Sequence, residues 1–205
     1  MTSALTTKPT SLNKCLLGIG IPLTKEAFIE SLQTENQKDF IKSKIQKQNV
    51  SNSTLWDLYK QTIVNTSLEI LKKIEKIGVT VICDFSLKHL QLIENYETTT
   101  IIGHWVENQE KIELADGTHS ILEFTNAIPQ DIECMLDLTV CQSEKLLSQI
   151  KKRNENIYVR CFSSKVDFRH NLLYYQLIIN ILKNDKKLNF LEARNIAIKQ
   201  IFNNL

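Results

Sequence analysis

Four short apolar runs decide what this chain can fold into. Gly78-Val-Thr-Val-Ile-Cys83, Thr98 to Gly103, Cys134 to Cys141 and Ile157 to Phe162 are brief and continuous, the pattern of strands buried on both faces of a mostly parallel sheet. Between them the apolar spacing is helical. Leu58, Ile63, Leu68, Leu71 and Ile74 run up to Gly78, which suits a helix C-cap, and Ser86 to Asn95 predicts a second helix. Ser143 stands as an N-cap before Leu146, Leu147 and Ile150, and Lys151, Lys152 and Arg153 close that helix with charges that favour its dipole. Phe168 to Leu182 and about 189–203 read as the last two helices. Lys111 to Phe124 differs: alternating segments flank Asp116-Gly117, a hairpin signal. Strand and helix alternate, so the class is α/β, a three-layer α/β/α arrangement on a mostly parallel central sheet.

Residues 1–60 have another character, polar and rich in Lys, Gln and Asn, with helical patterns at Ala27, Phe28, Leu32 and at Phe40, Ile41, Ile45. With a linker at Asn49 to Thr54, they predict a mainly helical N-terminal extension, a regulatory or partner-binding element, ahead of a main domain at 61–205. The apolar run Cys15 to Leu23 is short and broken by Gly18, Gly20 and Pro22, so neither a signal peptide nor a membrane span is expected.

At 205 residues the chain can bury roughly 70% of its unfolded surface and needs no disulfides. Its 25 Lys and Arg against 23 Asp and Glu leave a net charge of +2, too weak to make nucleic acid the default partner. The five cysteines form no C-x-x-C pair and mostly lie in apolar runs, which predicts a reducing, cytoplasmic setting. Cys83 and Cys161 read as buried, inert thiols. No glycine-rich phosphate loop, zincin or nucleophile-elbow motif occurs, and no cofactor is expected. His104, His119, Cys134 and Cys141 are of types that suit zinc, but Cys134 and Cys141 sit at opposite ends of one strand, too far apart to share an ion, so no metal is expected.

In an open parallel sheet, functional groups gather where strand carboxyl ends meet helix N-termini. One strand is followed by Gly103-His104-Trp105, another by Cys141-Gln142-Ser143. An imidazole and a thiol on two strand ends are what nucleophilic cysteine catalysis needs, His104 taking the proton of Cys141. A helix start just after Cys141 favours its thiolate, and backbone N–H groups near 103–105 and 141 suit an oxyanion hole. Trp105 and Gln142 stand where they can wall a substrate pocket. Arg160, Asp167 and Arg169, on or after the fourth run, lie at the crevice edge, where they can bind substrate side chains; both signs are present, so no charge preference follows. Each also has a plainer account: a strand-end histidine satisfied by a carbonyl, an inert buried thiol, a packing tryptophan. Asp137, alone among apolar neighbours, is either paired across the sheet or part of the site. His119 and His170 read as surface residues, and His89 has no evident partner.

A strand ending in Gly-His, a hairpin with Asp-Gly, and a strand ending Asp137-Leu-Thr-Val-Cys-Gln-Ser143 together resemble the caspase-fold cysteine peptidases of the CHAT family. Tyr158-Val-Arg-Cys-Phe162, then Asp167, Leu-Tyr-Tyr-Gln-Leu-Ile and Leu191-Glu192-Ala193, is similar to that family's ending, so the likeness covers roughly 66–203. The resemblance implies a caspase-like fold and a His104–Cys141 dyad that cleaves a specific protein substrate. It further implies regulation by an activating or inhibitory partner, in bacterial defence or programmed death. Where the family has Gly after the histidine, this chain has Trp105. That departure keeps a second reading open, a caspase-fold interaction module without catalysis in a larger complex. A third, a small-molecule-binding domain of flavodoxin-like topology, lacks a phosphate loop.

Overall fold

A computed structural model describes residues 8–33, 51–106, 110–163 and 167–202. A single 3-10 turn (Leu12–Lys14) leads into strand β1 (Cys15–Ile19) and helix α1 (Lys25–Ser31). Helices α2 (Asn52–Tyr59) and α3 (Asn65–Glu75), joined by a π-helical turn, precede β2 (Thr80–Ile82); a 3-10 helix (Leu87–Asn95) precedes β3 (Thr98–Ile102). Then come β4 (His104–Val106), β5 (Lys111–Leu114), β6 (Gly117–Ser120) and α4 (Ile121–Ala127). The chain closes with β7 (Met135–Thr139), α5 (Glu144–Arg153), β8 (Tyr158–Arg160), α6 (Phe168–Asn184) and α7 (Phe190–Phe202).

The central sheet has five strands in the order β2-β1-β3-β7-β8, every pair parallel. A separate antiparallel sheet, β4-β5-β6, branches from the end of β3. Successive strand residues point to opposite faces. Cys15, Leu17 and Ile19 therefore join Leu71, Ile74, Tyr175, Ile178 and Ala193 in one core, beneath α3, α6 and α7. Leu16, Ile101, Leu136 and Leu138 join Phe85, Leu90, Phe124, Leu146 and Ile150 in a second core on the other face. Helices on both faces of a parallel sheet make the three-layer α/β/α fold that the strand runs predict. Among the described residues, no helix is long and apolar enough to cross a membrane.

The expectation for residues 1–60 requires correction. Their described part is not a helical annex: β1, drawn from it, lies between β2 and β3, and a boundary at 60 falls inside the continuous α2–α3 helical segment. The glycines that break the Cys15–Leu23 run are what let it enter the core. A Cβ on Gly18 would lie 2.4 Å from the Phe85 ring, and one on Gly20 would lie 2.8 Å from Leu114 Cδ2. The helical pattern at Ala27, Phe28 and Leu32 forms α1, capped by Thr24. The pattern at Phe40, Ile41 and Ile45 and the start of the linker lie outside the described residues.

Two further expectations change. Ile121–Phe124 belongs to a helix rather than to the hairpin, because Ser120 and Glu123 form a reciprocal capping box at its start. Cys83 is exposed rather than buried, standing just beyond the edge strand β2.

Gly18→Ala tests the close approach of β1 to Phe85. Overpacking of this kind costs about 1–3 kcal/mol. Urea denaturation should show a lower midpoint with unchanged slope, and an unchanged midpoint would mean the Phe85 ring is free to move.

Candidate active site

The site is built where β3 and β7 stop pairing. Their parallel register runs from Thr98 opposite Met135 to Ile102 opposite Thr139, and the Gly103 N–H adds a last bond to the Thr139 carbonyl at 3.4 Å. Neighbouring parallel strands lie about 4.8 Å apart. His104 and Cys141 each stand two residues beyond the Ile102–Thr139 rung, so the two candidates leave adjacent strands at equivalent positions. Both are half-buried.

From that rung the chains diverge for local reasons. After Gly103 the first strand turns into β4, and a Cβ at 103 would sit 3.2 Å from the Glu113 carbonyl and 3.4 Å from Val140 Cγ2. Glycine thus keeps the joint between the two sheets narrow and sets where His104 begins the second one. On the other side, Val140 is fully buried and Cys141-Gln142 turns the chain into α5, Gln142 adopting φ +50°, a backbone that side chains other than glycine rarely take. Strain of this sort persists where surrounding contacts over-determine it.

Ser143 supplies those contacts, though not as the helix cap the sequence suggests. Its side chain makes no capping bond to α5. Fully buried, its Oγ donates to the Leu138 carbonyl at 3.0 Å and accepts the Phe162 N–H at 2.8 Å, tying the end of β7 to the chain beyond β8. The first backbone donors of α5 are spoken for as well. Ser143 N–H reaches Val140, Glu144 N–H reaches Phe162, Lys145 N–H reaches Gln142, and Leu146 N–H reaches Ser143, all at the carbonyls. The N–H groups of Gly103 and of 143–146 are thus occupied and are not available to an oxyanion.

The remaining predicted residues divide. Trp105 does not wall a pocket: it is 3% exposed and packs with Ile112, Leu114 and Phe124 in the second core. Arg160 is not offered to a substrate, because Asp137, directly opposite it on β7, takes it in an ion pair at 2.5 Å, with side chains 12% and 1% exposed. Burial pushes the Asp137 carboxyl up while the guanidinium pulls it down. Asp167 caps α6, accepting the His170 N–H at 3.0 Å, and Arg169 is exposed in the first turn of that helix. Gln142 stays beside Cys141. The structure thus sets Gly103-His104 and Cys141-Gln142 at the ends of adjacent strands and assigns Trp105 and Arg160 to packing and pairing.

His89, for which the sequence offers no partner, accepts the Ser86 N–H at Nδ1, 2.9 Å away, at the start of the 3-10 helix. His119 sits 2.9 Å from Asp116, whose carboxylate also accepts the Leu87 N–H. Burial pushes three thiols up, Cys15 and Cys134 to about 12 and Cys161 to about 11, while Cys83, exposed beside β2, is raised to about 11 by the part of it that is covered and by the carboxylates of Asp84 and Glu75. At neutral pH these four are almost wholly protonated and poor nucleophiles.

One group that sequence reading passes over is Glu113. On β5 it is 1% exposed, directly opposite His104, and both carboxyl oxygens are buried with no hydrogen-bond partner. Burial alone raises it from the ordinary value of 4.5 to about 7. Its alternation with Ile112 and Leu114 in the sequence would place it in solvent; the cover over that second face is a tertiary feature that no local pattern announces.

No family model matches this chain, and no curated protein matches it.

Ser143→Ala should destabilise the fold by about 1–3 kcal/mol, because it strands the Leu138 carbonyl and the Phe162 N–H together. Chemical denaturation checks this, and a loss well under that range would mean that water replaces the hydroxyl. Glu113 predicts a pH signature. Between about 4.5 and about 7 the folded chain holds a proton that the unfolded chain releases, so raising the pH across that window favours unfolding. Glu113→Gln should therefore gain on the wild type from pH 4.5 to 7, by up to ~3 kcal/mol, and hold that gain above 7. Paired denaturation curves at pH 4.5 and 8 measure it, and equal differences at the two pH values would contradict it.

Proposed function

We propose that this protein is a cysteine endopeptidase in which Cys141 is the nucleophile and His104 the general base and acid. The observation that supports this reading is the register of β3 against β7, from whose last rung His104 and Cys141 each stand two residues onward. In this reading the Cys141 proton passes to His104 and the sulfur attacks a peptide carbonyl. His104 then returns the proton to the leaving amine, and water hydrolyses the thioester. The resemblance to CHAT-family peptidases supports a specific protein as substrate, control by an activating or inhibitory partner, and a cytoplasmic role in bacterial defence or programmed death. The thiols of Cys15, Cys83, Cys134 and Cys161, raised by their surroundings, are poor candidates for the nucleophile.

One observation favours the second reading, an interaction module without catalysis. The backbone N–H groups of Gly103 and of 143–146 are already bonded, which narrows the supply of oxyanion donors, and Trp105 occupies the position after the histidine. Intact-mass labelling with a peptidyl chloromethyl ketone separates the two. Catalysis predicts one adduct on the wild type, none on Cys141→Ala, and a rate at least ~100-fold lower on His104→Ala, the usual contribution of a positioned base. Equal labelling of wild type and His104→Ala, or adducts spread over several cysteines, would favour the module.

A further inference from the structure

Glu113 is buried at a place where a charge has no ordinary reason to be. Natural proteins satisfy nine in ten or more of their buried polar groups, yet neither oxygen of this carboxyl has a partner. Its position explains what it can meet. His104 and Glu113 form a register pair between β4 and β5, and directly opposed residues of an antiparallel pair share a face, with Cβ atoms about 4.5–5.5 Å apart. Thr118 on β6 completes the row. The other row, Trp105, Ile112 and His119, faces the second core or the Asp116 turn.

We propose that Glu113 is the positioning residue for His104, its carboxylate accepting the imidazole N–H that faces away from Cys141. The proposal rests on the His104–Cys141 reading above and extends the pair to three groups. When the Cys141 proton moves to the imidazole, a cation forms opposite the carboxylate, and the two buried charges then satisfy each other. No proton passes to Glu113; His104 keeps it until the leaving amine takes it. Catalytic hydrogen bonds of this kind are often long or unmade in an unliganded site and tighten as the reaction proceeds. Burial raises the carboxyl to about 7 while no charge faces it, and a cation on His104 is the partner that brings it back to the carboxylate. The other titratable group on its face of β5 is Lys111, two residues earlier and half-buried, while Asp116 and His119 pair with each other.

The test uses the full chain and iodoacetamide, a probe too small to need substrate recognition. Cys141 alkylation is followed by mass spectrometry from pH 5 to 9 in wild type, His104→Ala and Glu113→Gln, with the His104 Cε1–H resonance titrated in parallel by NMR. A nearby carboxylate raises a histidine by one pH unit or more, so Glu113→Gln should lower the His104 midpoint by at least about one unit. Alkylation at pH 6.5 should fall about tenfold with it. A His104 midpoint and rate profile unchanged in Glu113→Gln would overturn the assignment of Glu113 while leaving the pair intact. A wild-type rate equal to that of His104→Ala would overturn the pair itself. The wild type also carries its own readout should the variant fail to fold: coupled to Glu113, the His104 resonance should titrate in two steps, and one simple step would overturn the proposal.

Discussion

Everything at the candidate site hangs on the last rung between β3 and β7. Parallel pairing holds the strands together as far as Ile102 and Thr139, and the Gly103 N–H closes the ladder on the Thr139 carbonyl. Beyond it each chain is steered by a separate device. On one side, Gly103 lets the second sheet fold tightly against Val140; on the other, Ser143 clamps the turn between Leu138 and Phe162. Those are packing and hydrogen-bonding constraints, and they set the strand ends that carry His104 and Cys141.

Buried polar groups show how the fold divides structural from chemical duties. Asp137 and Arg160 sit opposite each other in the sheet and are joined by an ion pair, so each has a partner that offsets its desolvation. Glu113 is buried as deeply and has none. A satisfied buried pair explains itself by structure alone, whereas an unsatisfied one beside a histidine points to a working state in which a partner charge appears. Four thiols are held protonated by their surroundings, and Cys141 stands where a strand gives way to a helix.

Much of this was legible in the sequence, and what was not has physical causes. Four strands announced themselves as continuous apolar runs because parallel strands covered on both faces need no polar side. β1 did not, because the fit against Phe85 and Leu114 demands glycine at 18 and 20, and glycine reads as a break. The hairpin turn at Asp116-Gly117 was visible, with Gly117 at φ +120°, while α4 was hidden behind alternating residues although its capping box, Ser120 to Glu123, was written in the chain. That His104 and Cys141 stand just beyond the ends of adjacent strands followed from asking what stands at strand ends. Arg160 was misjudged because its partner Asp137 is distant in sequence and adjacent only through the β7–β8 register. Trp105 and Glu113 went the same way: which face of a three-residue strand is covered depends on the layers around it, not on its own pattern.

The most direct trial of the account is a crystal structure of the chain after reaction with a peptidyl chloromethyl ketone. The account predicts a thioether at Cys141 Sγ with the His104 imidazole within hydrogen-bond reach of the reacting centre. Attachment elsewhere, or an imidazole standing more than roughly 6–7 Å from that sulfur in the reacted state, would contradict it, because proton transfer to a positioned base requires near contact.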